Sequence, residues 1–228
     1  MIEVWLYRLS TLANEVDEEA AKRGLSREEN NYLETVSSSV RYQEFLYTRF
    51  ALRRLLSEKL QTPPNHIALG KTPEGKPTLV SELTWRFNLS HANDMAAIIL
   101  NEGVEVGIDV LCLDGLKSST IAKVTQRYFT HQEKAYFEAQ DESRSVDVFA
   151  RQWTLKEAML KAVGCGLKQQ LDQLDTMTMA NNGQTHVLRD EVAHVVTAKH
   201  LRLTQAPYAL AFAFCSHEAL EYQINYRL

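Results

Sequence analysis

The sequence predicts an α/β (α+β) chain built as two halves, each a small antiparallel sheet with helices. Three observations carry that prediction. From Ser38 to Leu60 the residues Phe45, Leu46, Phe50, Leu52, Leu55, Leu56 and Leu60 keep a helical period. From Trp85 to Val110 apolar, strand-like segments are cut by turns at Ala92-Asn-Asp94 and Asn101-Glu-Gly103. A second helix, Arg151 to Val163, is closed by Gly164 and followed by further strand-like segments. The chain has 228 residues, 45% of them hydrophobic, enough for one large domain or two small halves. The halves are set at residues 1–108 and 109–228.

Composition excludes several function classes. A net charge of −4 leaves no broad basic surface for non-specific nucleic-acid binding, although a local basic pocket for a small anion remains compatible. The three cysteines, Cys112, Cys165 and Cys215, are odd in number, far apart and outside any C-x-x-C pattern. They fit a reducing compartment. No run approaches the roughly 18 apolar residues of a membrane span, and the first residues lack a signal-peptide layout. The expectation is a soluble, cytoplasmic monomer.

Taken in order, Ile2 to Leu9 reads as a strand rich in Val, Trp and Tyr. Ser26 is an N-cap for a helix inside the charged stretch from Glu15 to Glu34. On the long helix, Arg41, Arg49, Arg53, Arg54 and Lys59 form the densest positive charge, most of it expected in solvent. Thr62-Pro-Pro-Asn65 ends that helix. A short strand from His66 then enters a loop with Gly70, Lys71, Thr72, Pro73, Gly75, Lys76 and Pro77. Glycines let a backbone approach a ligand, but this is no Walker loop, because Pro77 follows the Gly-Lys. Three strands of a meander follow, Trp85–Ser90, Met95–Leu100 and Val104–Val110. Helical periodicity returns at Ser118–Ala139, and Asp141 to Ser145 reads as an exposed loop. Beyond Gly166, strands are expected at Thr176–Met179, Thr185–Leu188, Val192–Val196, Ala209–Phe214 and Tyr222–Tyr226, with a turn at Asn181-Asn-Gly183.

Three features carry chemistry. On the second helix, Leu155, Met159 and Ala162 make an apolar face, and Trp153, Glu157 and Lys161, each four apart, form a stripe beside it. Alone, an exposed Glu–Lys pair of this kind is ordinary surface, worth about 0.3–0.5 kcal/mol. Asp109 ends an apolar strand, where a carboxylate needs a partner, a local polar contact or a metal. Ser90 and His91 point to opposite faces of their strand, which opposes a nucleophile–base pair. They read either as donors to an anion or as a turn residue and a satisfied histidine.

Together, Gly75-Lys-Pro77, Phe87-Asn-Leu-Ser-His91, Val106-Gly-Ile-Asp109 and Trp153-Thr-Leu-Lys-Glu-Ala-Met-Leu-Lys161 resemble the Sfp-type 4′-phosphopantetheinyl transferases. Arg49 to Leu60 and Lys156 to Leu167 are similar to the subgroup of the human aminoadipate-semialdehyde dehydrogenase phosphopantetheinyl transferase. The resemblance implies two α/β halves about a pseudo-twofold axis, with coenzyme A and Mg²⁺ in the cleft between them. It implies that Lys71, Thr72, Gly75, Lys76 and Pro77 run along the adenosine and phosphates of coenzyme A. Asn88, Ser90 and His91 are then phosphate contacts, Lys156 either a phosphate contact or a surface residue, and Lys161 the pyrophosphate partner. Asp109 and Glu157 are the implied metal ligands, with Glu157 the candidate base. Two positions depart from the family pattern. Leu111 stands where most bacterial relatives place a second acid, as an apolar residue also does in the human-like subgroup. Tyr32 falls near a position where relatives use a basic residue against coenzyme A.

The reaction so implied is transfer of phosphopantetheine from coenzyme A to a serine of an apo acyl or peptidyl carrier protein, with release of 3′,5′-ADP. A non-catalytic binder of coenzyme A or carrier, and a metal-dependent pyrophosphate hydrolase, are the alternatives. A dinucleotide-dependent dehydrogenase does not fit, because the one Gly-x-Gly, Gly164-Cys-Gly166, follows a helix instead of a strand.

Overall fold

Alternation starts the first sheet. In β1 (Ile2–Arg8), Ile2, Val4 and Leu6 are fully buried on one face, as the two-residue period of a strand requires. The computed structural model describes every residue except 81–83, 167–170, 180–182, 204–205 and 228. Leu9 already belongs to α1 (Leu9–Glu15), so the first strand is one residue shorter than expected. Next come α2 (Glu18–Arg23), α3 (Arg27–Glu34) and α4 (Ser39–Leu60). Ser26 caps α3 in a capping box with Glu29. The hairpin β2 (Leu69–Lys71) and β3 (Pro77–Leu79) carries the Gly75 turn, followed by β4 (Trp85–Ala92), β5 (Met95–Glu102) and β6 (Val106–Cys112). The second half continues with α5 (Ser118–Tyr128), α6 (His131–Glu138), α7 (Glu142–Val163), β7 (Gln184–Arg189), β8 (Val192–Arg202) and β9 (Tyr208–Cys215), before β10 (Tyr222–Arg227).

Two four-stranded sheets result, ordered β10-β1-β5-β4 and β6-β9-β8-β7, besides the β2–β3 pair. Each half repeats one plan. An opening strand (β1 or β6) leads into helices that end in one of 22 residues (α4 or α7), and the last strand of the half returns beside the opening one. Helices α1 and α4 cover the first sheet, and α7 covers the second. The remaining faces pack on each other through Val4, Leu6, Ile99, Ile108, Leu210 and Phe212.

Several expectations are corrected. The third strand of the meander, β6, pairs with β9 in the other sheet and not with β5. Its junction with the first sheet is made by side chains instead, where Asn88 Oδ1 accepts from the Ile108 amide (3.0 Å) and Ser90 Oγ from the Val110 amide (3.3 Å). A boundary after residue 108 falls inside β6, and β10 returns to the first sheet parallel to β1, so the first half is not continuous in sequence and one strand pair is not antiparallel. The periodic stretch 118–139 is two helices, because Phe129 is extended and Thr130 starts a new capping box with Glu133. Asp141 accepts from the Arg144 amide and caps α7, so Glu142 to Ser145 are helical and not a loop. Thr176 to Met179 turn instead of pairing, since Glu133 takes the amide and hydroxyl of Thr176. The expected turn at Asn181-Asn-Gly183 lies largely outside the described residues.

The arginines of α4 are also less solvated than expected. Arg53 is 1% exposed, ion-paired with Glu29, and donates to the carbonyls of Pro64 (2.6 Å) and Ile67 (3.0 Å). It ties α3 and the loop after α4 to the helix.

Gly107 sets the seat of α7. A Cβ there would overlap the Ala158 carbonyl oxygen and Ala162 amide nitrogen and lie 2.8 Å from the Lys161 carbonyl carbon, all helix backbone. No flexible side chain can move aside, so Gly107→Ala must push the helix off the strand. The expected cost is about 3 kcal/mol or more, at the upper end of overpacking changes. Urea unfolding midpoints measure it, and an unchanged midpoint refutes the close seat.

Candidate active site

The approach at Gly107 brings one face of α7 over β6, in which Asp109 is the fourth of seven residues and not the end of the strand as expected. Lys161 Nζ bonds Asp109 Oδ1 at 2.6 Å and Ser90 Oγ at 3.3 Å, and Ser90 Oγ donates to the same Asp109 oxygen at 3.0 Å. Glu157, one turn earlier, is 8% exposed, and its Oε1 is buried with no hydrogen-bond partner. Burial, and then the charge of Asp109, push its pKa up to about 7, against the opposing pull of Lys161. An orphaned carboxylate oxygen beside a second carboxylate suits a hard divalent cation. Mg²⁺ is usually held by one or two carboxylates, with water and phosphate oxygens completing its shell. Among the described residues no cluster of three or more His, Cys, Asp or Glu side chains is placed to hold a metal, so a cation here would have to rely on the two carboxylates of Asp109 and Glu157.

The structure brings half of the expected site residues to the lining of one cleft. Gly75, Lys76, Pro77, Asn88, Glu157 and Lys161 line a cavity of about 300 Å³ between the halves. Lys71 lies apart, in a second cavity of about 710 Å³ that shares Pro77 with the first. Thr72 closes the loop, its hydroxyl accepting from the Lys76 amide at 3.2 Å. Lys76 lines the cleft, but its ammonium is engaged by Glu105 (2.8 Å) and by the carbonyls of Val106 (3.1 Å) and Ala162 (3.3 Å). It reaches a phosphate only by leaving these acceptors. Ser90 is buried beneath the cleft beside Asp109, whereas His91 is exposed at the end of β4, its Nδ1 4.0 Å from Glu44. Leu111 packs against the apolar cluster around Ile121, Phe129 and Phe149.

Lys156 is the clear correction. It is 0% exposed, ion-paired with the equally buried Glu133 at 2.7 Å, and donates to the carbonyls of Leu171 (2.7 Å) and Leu174. Burial pushes its pKa down, and Glu133 opposes that shift. It meets neither phosphate nor solvent, because α7 is enclosed on this side by α6 and the segment after it. Sequence reasoning missed Glu133 and the second cavity, where Tyr32 and Phe45 stand 4.6 Å apart and Arg49 lies over the Phe45 ring. Only Glu133 left a signal, the Thr130-x-x-Glu133 capping box.

Two outcomes follow from these buried charges. Lys156→Ala leaves the Glu133 carboxylate buried and unpaired, at an expected cost of about 3–5 kcal/mol; a chemical-denaturation midpoint equal to wild type contradicts the pairing. Glu157 holds its proton in the folded state up to about pH 7 but loses it near pH 4.5 when unfolded. The unfolded chain therefore binds fewer protons in that window, and the Glu157 contribution to the stability of the metal-free protein falls as pH rises through it. In unfolding curves run with a chelator, Glu157→Gln flattens that dependence. An identical slope in both proteins rejects the raised pKa.

The chain is similar in sequence to known proteins along most of its length. Residues 105–213 match the model of the 4′-phosphopantetheinyl transferase superfamily, and residues 14–102 match that of the 4′-phosphopantetheinyl transferase N-terminal domain. A Synechocystis chain assigned to the 4′-phosphopantetheinyl transferases is 30% identical over 197 residues, covering 81% of this chain and 76% of that one. The L-aminoadipate-semialdehyde dehydrogenase-phosphopantetheinyl transferase of Homo sapiens is 35% identical over 136 residues, 56% of this chain. The match spans under half of that relative, 44% of its length. A holo-(acyl-carrier-protein) synthase from Bacillus anthracis, solved in complex with CoA (3′,5′-ADP), aligns at 22% identity and a TM-score of 0.36, over 49% of this chain and 95% of that one. With four motifs in order, both family models matched and the Synechocystis relative covered along most of its length, the chain belongs to the 4′-phosphopantetheinyl transferase family.

Proposed function

We propose that this protein transfers the 4′-phosphopantetheine arm of coenzyme A to a serine of an apo acyl or peptidyl carrier protein. The observation that carries the reading is the orphaned Glu157 oxygen, buried beside Asp109 and one turn from Lys161 at the cleft. The serine Oγ attacks the β-phosphorus of coenzyme A, the bond to the 3′,5′-ADP oxygen breaks, and the hydroxyl proton passes to a base. Such transfers depend on positioning and charge neutralisation more than on covalent help from the protein. Bound at Asp109 and Glu157, Mg²⁺ supplies charge neutralisation at the pyrophosphate.

Lys161 adds a second positive charge on the same face of α7. Glu157 is the candidate base, a role worth roughly 10²–10⁴ in rate. Asn88 and the Gly75-Lys76-Pro77 turn line the cleft that would hold the phosphates. No described helix is long and apolar enough to cross a membrane, and the unpaired cysteines fit a reducing cytoplasm, where we place the protein as a monomer.

Intact mass of an apo acyl carrier protein, incubated with the protein, coenzyme A and Mg²⁺, tests the reaction. A gain of one phosphopantetheine that a chelator abolishes is expected; no gain with either an acyl or a peptidyl carrier, while coenzyme A still binds, overturns it. Loss of the Glu157 carboxylate in Glu157→Ala should lower the rate by at least about 10²-fold, the usual worth of a general base. Lys161→Ala should slow the single-turnover step, and a rate constant equal to wild type removes it from the chemistry.

A further inference from the structure

We infer that Ser90 is a positioning residue for Asp109 and not a phosphate contact. The inference rests on the transferase reading above and divides the labour within Asn88-Leu-Ser-His91. A serine hydroxyl has one proton to give and two lone pairs to offer. Ser90 Oγ has three polar neighbours: Asp109 Oδ1 at 3.0 Å, the Val110 amide at 3.3 Å and Lys161 Nζ at 3.3 Å. The amide and the ammonium only donate, so the single hydroxyl proton goes to Asp109 and both lone pairs are taken. Nothing is left to offer an anionic oxygen, and the residue is buried.

Asn88 stands in contrast. Its Oδ1 accepts from the Ile108 amide, while its Nδ2 has no hydrogen-bond partner among the described residues and its side chain lines the cleft. On β4, Asn88 is therefore the group with a donor to spare, and Ser90 is the group that fixes the carboxylate. The arrangement holds one oxygen of Asp109, Oδ1, between Ser90 and Lys161, whereas Oδ2 accepts from none of the described residues. Ser90 thereby fixes one oxygen of Asp109 and leaves the other, with the orphaned Glu157 oxygen, available to a cation.

Two titrations separate this role from ligand contact: coenzyme A by calorimetry in the presence of a chelator, and Mn²⁺ alone by the loss of its free-ion electron paramagnetic resonance signal. Ser90→Ala should leave metal-free coenzyme A affinity within about twofold and weaken Mn²⁺ binding by about tenfold or more, the range for loss of a residue that orients a metal ligand. Ser90→Thr, which keeps the hydroxyl, should retain Mn²⁺ affinity, and Asn88→Ala should lose coenzyme A affinity with the chelator present. If Ser90→Ala does not fold, Ser90→Cys carries the same expectation, because a thiol is a weak donor. Unchanged Mn²⁺ binding, or a fall in metal-free coenzyme A affinity matching that of Asn88→Ala, overturns the inference. Wild-type protein that binds Mn²⁺ but no coenzyme A overturns the transferase reading instead.

Discussion

Each half of the molecule hangs on one buried cation. Arg53 in α4 and Lys156 in α7 sit at the same place along their helices, fourteen residues past the first. Each pairs with the glutamate of a capping box, Glu29 of α3 or Glu133 of α6. Each also donates to two carbonyls three residues apart in the segment that follows its helix, Pro64 and Ile67 or Leu171 and Leu174. A buried charge is tolerable only when its donors are matched in this way. One side chain thus fixes a short helix, a long helix and a loop relative to one another, twice. The shared plan of the two sheets and this shared clasp are independent signs of one repeated unit.

The repeat also shows how differently equivalent positions of its two long helices are placed. The α4 positions matching Glu157 and Lys161 are Arg54 and Glu58, whose side chains are 60% and 62% exposed and whose charges run in the opposite order. A solvent-exposed pair of that kind is worth little. In α7 the same positions lie over β6, where the helix can settle because Gly107 has no side chain. Contact with the strand strips water from Glu157 and sets its carboxylate beside that of Asp109. Placement, more than residue type, turns an ordinary exposed helix pair into a largely buried one.

Much of this was legible in the residues, and what was not has a physical reason. The Glu157–Lys161 spacing, the Asp109 carboxylate in an apolar strand and the Gly75-Lys76-Pro77 turn are local patterns, and they came together in space. Lys156 was misread because helix periodicity assumes a wet side. From Gln152 to Val163, α7 is buried everywhere except at Trp153 and Lys161, so it had no wet stripe from which to judge. The partner of β6 was hidden for a related reason. Neighbouring strands usually pair, and Val106 to Val110 looks the same in either sheet. The side-chain bonds from Asn88 and Ser90 that replace such pairing have no signature in composition or period.

The parallel placement of β10 beside β1 has a consequence for how the chain comes into being. Ile2 lies opposite Tyr222, so the first sheet gains its outer strand only after some 220 residues have been synthesised. A nascent chain emerging from the ribosome can settle α1 to α4 on β1, β4 and β5, but until Tyr222–Arg227 arrive the other edge of β1 offers open backbone to any strand nearby. Such edges invite wrong partners. Among the described strand pairings, that of β1 with β10 therefore waits longest for its second strand. The interval before Tyr222–Arg227 emerge is the time when that edge of β1 has most need of protection from its neighbours.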